Sequence, residues 1–182
     1  LFAGIGLWIH NTGFFIAFGI WSGLALSLTV TPAGQRLRHF AIFFAAGVLA
    51  LLVWAPYAPI FIAQSQAFMG LAFWLTPKFR DLYSAWLLLV GDGRPVAVLT
   101  AALLAFGLWR LFRCAPALAL VAAAILLLPL YATLAVSFTM KPIYIQRLFA
   151  WMVPLGLSVI AFGIVTAARR RWIGVVIALA VL

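Results

Sequence analysis

The stretch ALALVAAAILLLPLYATLAV, residues 117–136, decides the fold of this chain. It contains no charged side chain over 20 residues. A helix that crosses a bilayer needs about 20 mostly apolar residues, because it rises about 1.5 Å per residue through about 30 Å of hydrocarbon. The stretch therefore predicts a transmembrane helix.

The rest of the chain is also rich in apolar residues and poor in charged ones. Of its 182 residues, 68% are hydrophobic and 8% are charged, whereas soluble domains have about 45–50% apolar and about 25% charged residues. In a bilayer, apolar side chains face lipid and a helix satisfies its own backbone polar groups. The apolar runs are continuous, unlike the alternating strands of a membrane β-barrel. The sequence thus predicts an all-α, polytopic transmembrane helical bundle.

Other apolar runs bring the predicted number of spans to about seven. We expect one transmembrane domain over residues 1–182, belonging to a longer protein, with its first and last spans truncated. The predicted spans cover residues 1–9, 14–30, 40–58, 96–112, 117–136, 148–167 and 172–182.

Two polar stretches separate some of these predicted spans. TPAGQRLRH, residues 31–39, is predicted to be a loop. Residues 59–95 are predicted to be an extracytoplasmic segment with a helix that lies in the interface. That helix would have Thr76 as its N-cap and Pro77 at its first position, which both residues favour.

The net charge of +10 comes from short clusters of cations between apolar runs. The positive-inside rule and the alternation of spans place the tight clusters in the cytoplasm. These clusters contain Arg36, Arg38, Arg110, Arg113, Arg169, Arg170 and Arg171. No basic helix face with interleaved aromatic residues is present, so nucleic acid is not a predicted partner. The predicted location is the bacterial inner membrane, with several spans.

Several classes of chemistry lack their sequence patterns. GxGxxG, phosphate-loop and CxxC motifs do not occur, and His10 and His39 are predicted on opposite faces, so no metal pair is expected. Cys114 is the single cysteine, which excludes an intrachain disulfide. Neither of the two acids, Asp81 and Asp92, lies in a predicted span. This argues against an ion-coupled transporter, which usually has ionisable groups at membrane depth.

The polar residues that remain collect on the predicted outer face. The candidate binding residues are Arg147, Lys141, Tyr144, Gln64, His10, Asn11 and Trp74. Structural roles are open for most of them: Trp74 suits an interface belt, and the Lys141 side chain can extend to headgroups. A binding role is favoured for Arg147, because its planar guanidinium matches phosphate oxygens.

Two segments resemble the family of integral-membrane glycosyltransferases with the GT-C fold, in particular family-39-like bacterial proteins. They are WAPYAPIFIAQSQAFMGLAFWLTPKFRDLYSAWLLL and SFTMKPIYIQRLFAWMVPLGLSVIAFGI. Protein O-mannosyltransferases and lipid A aminoarabinose transferases are related to this family. The matching positions are Pro59, Gln64, Phe73, Trp74 and Pro77, then Pro142, Tyr144 and Arg147. LWIHNTGFF resembles a family helix end at His10 and Asn11, with Ile9 in place of the usual threonine.

The resemblance implies sugar transfer on the extracytoplasmic side. The donor would be a sugar linked to polyprenyl phosphate, and the acceptor an envelope glycan, a lipid or a protein. No cofactor beyond this donor is implied, and a need for a divalent metal stays open. Arg147 and Lys141 would face the donor phosphate, and Tyr144 and Gln64 would line the same cavity.

The resemblance assigns no catalytic residue within this chain. The family's catalytic acid is expected upstream of Leu1, so these residues by themselves are expected to be inactive. Two other functions stay open from the sequence. One is a transporter or flippase for lipids or small molecules, and the other is a structural subunit of an envelope complex.

Overall fold

The computed structural model describes residues 13–70, 93–139 and 149–168. These residues form α-helices joined by turns, without any strand, so the predicted all-helical class is confirmed for them. The helices are α1 (Gly13–Ser27), α2 (Ala33–Trp54), α3 (Ala58–Gly70), α4 (Arg94–Cys114), α5 (Pro116–Thr139) and α6 (Met152–Ala168).

Three helical segments in the described ranges are long and apolar enough to cross a membrane: Ala33–Ala67, Pro95–Cys114 and Pro116–Thr139. Helices α1 and α6 are apolar but shorter, with 15 and 17 residues. The chain therefore has the helices of a membrane protein. The count of about seven spans stays a prediction, and its first and last spans lie outside the described residues.

Helix α5 is the centre of the packed bundle. Leu126, Leu130 and Leu134 are spaced four residues apart, so they share one face of the helix, and each is at most 1% exposed. Met152 at the start of α6 is equally buried and belongs to the same cluster. Helix α1 packs along α5, and α4 packs against both α5 and α6.

Helices α1 and α5 cross closely at two glycines. A Cβ atom on Gly19 would lie 2.8 Å from Pro129 Cγ, and one on Gly23 would lie 2.8 Å from Val121 Cα. Small residues at such positions let two backbones approach inside a membrane. Since Gly19 pairs with Pro129 and Gly23 with Val121, the two helices run antiparallel.

A second close crossing joins α4 to α6. A Cβ atom on Gly107 would overlap the carbonyl oxygen of Val159, and one on Gly163 would lie 2.7 Å from Gly107 Cα. Further along both helices, Arg110 Nε donates to Thr166 Oγ1 at 3.3 Å. The residue numbers rise together, so α4 and α6 run parallel.

The predicted loop over residues 31–39 is wrong for most of its length. Helix α1 ends at Ser27 and α2 begins at Ala33, so the connection is a short turn. Arg36, in the first turns of α2, donates to the carbonyl oxygens of Thr31 at 2.9 Å and Thr29 at 3.3 Å. Polar composition indicates contact with water, but it does not exclude a helix, and the arginine satisfies carbonyls that the turn leaves open.

The helical path continues beyond residue 58, where the third span is predicted to end. A 3₁₀ turn, Ala55–Tyr57, carries the chain from α2 directly into α3. Pro56 lies in this turn and Pro59 in the first turn of α3, where proline is tolerated because no helical N–H bond is lost. Residues 59–70 and 94–95 of the predicted extracytoplasmic segment are therefore helical. Its location and its helix at Thr76 stay predictions, because residues 71–92 lie outside the described ranges.

The helix directions define two ends of the bundle. The arginine end, comprising Arg36, Arg38, Arg110 and Arg113, lies where α1, α4 and α6 finish and where α2 and α5 begin. At the opposite end, Phe14 of α1 contacts Trp54 of α2 and Phe61 of α3. We call this opposite end, with Tyr57 and Gln64, the aromatic end. Alternation of the spans predicted the four arginines at one end, and the side of the membrane that they face stays a prediction.

Candidate functional site

The aromatic end is built from three helices. The Phe14 ring meets the Trp54 ring edge-on, with centroids 5.0 Å apart, and the Phe61 ring lies 4.7 Å away. Such ring pairs add stability beyond the area that they bury. They attach the 3₁₀ turn and the start of α3 to the first turn of α1, which gives this end of the bundle a defined shape.

The Trp54 side chain presents a polar atom within this cluster. Its indole Nε1 is buried and has no hydrogen-bond partner among the described residues. A buried N–H group without a partner costs about 1–3 kcal/mol, so most such groups in folded proteins are paired. Trp54 therefore contributes a hydrogen-bond donor to the aromatic end.

Tyr57 and Gln64 form the polar contact of this end. The Tyr57 hydroxyl donates to Gln64 Oε1 at 3.0 Å across seven positions, which is about two helical turns. Tyr57 is half-buried and Gln64 is exposed. This hydrogen bond, in which the carboxamide oxygen accepts, holds the Gln64 side chain against Tyr57.

These groups, an indole N–H, a tyrosine hydroxyl and a carboxamide, can bind a polar ligand. The described ranges contain no aspartate or glutamate, and they hold no cluster of His, Cys, Asp or Glu suited to a metal ion. Donors of this type are suited to hydroxyl and phosphate oxygens. The aromatic end is therefore a candidate binding surface, and its described residues include no carboxylate.

Of the predicted binding residues, Gln64 is the one that the described ranges include. Arg147, Lys141, Tyr144, His10, Asn11 and Trp74 lie outside them. The described residues that adjoin those segments are Gly13, Gly70, Gly93, Thr139 and Phe149. Each is at a helix end, or next to one, away from the arginine end. The described residues next to the predicted donor-binding segments are thus at the same end of the bundle as the candidate surface.

Sequence reasoning did not connect Tyr57 with Gln64 and did not identify Phe14 or Phe61. The spacing of seven between Tyr57 and Gln64 was available as a signal, because residues seven apart on a helix share a face. That signal was not used, because the predicted span ends at residue 58, between Tyr57 and Gln64, and the two residues were not expected on one helical path. The ring contacts of Phe14 join separate helices, so no local spacing predicts them.

The fold defines an all-helical membrane protein whose candidate site is at one end of the bundle. Comparison of the chain with protein-family models, with curated proteins and with solved structures found no match.

Proposed function

We propose that this chain is part of a membrane glycosyltransferase that moves a sugar from a polyprenyl-phosphate donor to an acceptor on the extracytoplasmic side. The observation that carries the proposal is the Tyr57–Gln64 hydrogen bond at the aromatic end. It holds the polar carboxamide of Gln64 near the end of the long apolar segment Ala33–Ala67. Gln64 is also one of the positions at which the sequence resembles the GT-C glycosyltransferases.

The surroundings of Gln64 suit a lipid-linked donor. A polyprenyl phosphate joins an anionic head to an apolar tail, so its site needs donors at the membrane interface and apolar surface beside them. Ile60 and Ile62 are exposed on the same helix as Gln64. The segments that adjoin this end carry Lys141 and Arg147, which are proposed to bind the donor phosphate.

The proposed reaction is a substitution at the anomeric carbon of the sugar. An acceptor oxygen attacks that carbon, the bond from carbon to phosphate oxygen breaks, and the phosphate leaves with the electron pair. The acceptor proton passes to a general base, for which the resemblance implies an acid upstream of Leu1. Arg147 would stabilise the negative charge that develops on the leaving phosphate.

The test is a transfer assay on the full-length protein in membranes with a labelled polyprenyl-phosphate sugar. Arg147→Ala is expected to lower kcat/KM about 10- to 150-fold, because a charge-assisted hydrogen bond is lost. Gln64→Ala is expected to lower it about 3- to 10-fold, since a neutral hydrogen bond is weaker. Tyr57→Phe removes the bond that orients Gln64, so it is expected to lower the rate by a smaller factor.

The matched controls change the same residue types at the arginine end. Gln35 is an exposed glutamine in the first turn of α2, and Arg38 is exposed nearby. Gln35→Ala and Arg38→Ala should leave transfer within about twofold of wild type. Equal losses from Gln64→Ala and Gln35→Ala would refute the site, and absence of transfer by the wild-type protein would refute the function.

A further inference from the structure

Arg110 is held in a fixed position at the arginine end. The Thr166 hydroxyl donates to the Gly163 carbonyl at 2.9 Å, so its oxygen is available to accept from Arg110 Nε at 3.3 Å. The guanidinium carbon also lies 5.9 Å from the centroid of the Trp109 ring, within range of a cation–π contact. Neither contact uses the two terminal nitrogens of Arg110. Among the described residues, no hydrogen-bond acceptor contacts these two nitrogens.

The charge of this end is not balanced within the chain. The sequence has 12 lysines and arginines against two acids, which gives a net charge of +10. The described ranges include no acid at all. Arg113 is exposed, and it lies three residues beyond Arg110 on the same face of α4. The counter-charge for this pair must therefore come from outside the described residues.

An open groove of about 550 Å³ begins beside Arg110. Among the described residues, its lining comprises Ser158, Ala161, Phe162, Val165 and Thr166 of α6. Thr166 is the residue that accepts from Arg110, so the polar and the apolar parts of this surface are continuous. The groove extends eight residues along the helix, or about 12 Å, which approaches the depth of one leaflet at about 15 Å.

We propose that Arg110, Arg113 and this groove together bind one anionic phospholipid. The phosphate accepts hydrogen bonds from the terminal nitrogens of Arg110, with Arg113 as the second cation, and one acyl chain lies along α6 from Thr166 to Ser158. Basic pockets between membrane helices bind anionic headgroups through the same chemistry. This site is distinct from the donor site at the aromatic end, and it does not depend on the proposed glycosyltransferase function.

The test is native mass spectrometry of the detergent-purified protein. The probes are phosphatidylglycerol and phosphatidylcholine with identical acyl chains. We expect phosphatidylglycerol to bind at least about fivefold more tightly, the factor that one cation near an anionic lipid provides. Arg110→Gln should remove this preference. Arg38→Gln deletes the same charge at the same end but away from the groove, and it should retain more than half of the preference.

A second pair of variants tests the groove without changing any charge. Val165→Trp fills the groove and should weaken phosphatidylglycerol binding by about fivefold or more, because the acyl chain loses the burial of one or more methylene groups. Val48→Trp adds the same bulk to an exposed position on α2 and should have no effect. Both variants should first be shown to keep the wild-type unfolding temperature in detergent, so that loss of binding is not loss of the fold.

The outcomes separate a site from general attraction to charge. Equal losses from Arg110→Gln and Arg38→Gln would overturn the proposal, and so would equal binding of the two lipids. Unchanged binding by Val165→Trp would overturn the acyl-chain part. Glycerol phosphate, which has the headgroup without acyl chains, should fail to displace the lipid at equal concentration. Displacement by it would identify a phosphate site rather than a lipid site.

Discussion

The segment Ala33–Ala67 and helix α5 are both strongly apolar, yet they differ sharply in packing. In their most apolar 18-residue windows, 6% of the first segment is buried inside the protein, against 44% of α5. Two glycines of α1 contact α5, whereas α2 meets α1 through aromatic rings, with Trp21 edge-on against Phe43 at 5.0 Å and Phe14 edge-on against Trp54 at 5.0 Å. Because lipid is as apolar as leucine, hydropathy places a helix in the membrane, and small residues decide which helices pack.

The largest effect is expected at the glycine crossing of α4 and α6. Gly107→Leu would force its new side chain into the Val159 carbonyl, which is backbone and cannot rotate away. We expect a loss of about 3 kcal/mol or more in the free energy of unfolding. The measurement is unfolding by sodium dodecyl sulfate in mixed micelles, followed by circular dichroism.

Gly34→Leu is the control for this variant. A Cβ atom on Gly34 would meet nothing within 4 Å, and Gly34 begins the loosely packed segment. Its unfolding free energy should equal that of wild type or exceed it, because leucine favours helix more than glycine does. Equal destabilisation by the two substitutions would contradict the contrast between the two regions.

A smaller effect is expected when leucine is truncated in each region. Leu130 on α5 is 1% exposed, whereas Leu52 on α2 is 64% exposed. Leu130→Ala leaves a cavity and should cost about 2 kcal/mol or more of unfolding free energy. Leu52→Ala should cost less than about 0.5 kcal/mol. The same unfolding titration measures both, and similar values would mean that α2 is packed as tightly as α5.

The smallest change in unfolding free energy is expected when a threonine hydroxyl is removed from α5, at one buried position and at one exposed position. Thr133 is buried and donates to the Pro129 carbonyl at 2.6 Å, while exposed Thr139 donates to the Ala135 carbonyl at 2.8 Å. Thr133→Val should cost about 0.6 kcal/mol, the average for membrane hydrogen bonds. Thr139→Val should cost almost nothing, since water can replace the bond. A larger loss at Thr139 would reverse the assignment of core and surface.

The sequence predicted the apolar helices well, because length and hydropathy are local properties. The predicted span over residues 117–136 lies inside α5, Pro116–Thr139, and the span over 96–112 lies inside α4, Arg94–Cys114. The error falls where polarity was taken as the end of a helix, because residues 33–39 are polar but helical. The helical path also continues past the prolines, with Pro56 in a 3₁₀ turn and Pro59 in the first turn of α3.

The candidate site was less predictable than the fold. Gln64 was identified from its type and its place in a family-like segment, but its partner Tyr57 required the correct helix continuation. The ring cluster around Phe14 and the bond from Arg110 to Thr166 join helices that are distant in the sequence. Such contacts depend on which helices pack together. A glycine in the sequence shows where another helix can approach closely, but it does not show which helix that is.

The central claim is that the arginine end faces the cytoplasm and the aromatic end faces the opposite side. Cys114 is the single cysteine of the chain, is exposed, and ends α4 at the arginine end. Labelling of intact cells with a membrane-impermeant maleimide tests the claim directly. We expect no labelling of Cys114 until the membrane is permeabilised.

The matched variant carries Gln64→Cys together with Cys114→Ala. Its cysteine is at the aromatic end, so we expect it to be labelled in intact cells without permeabilisation. Labelling of Cys114 in intact cells, with protection of the cysteine at position 64, would contradict the account. It would place the candidate site in the cytoplasm, away from an extracytoplasmic donor.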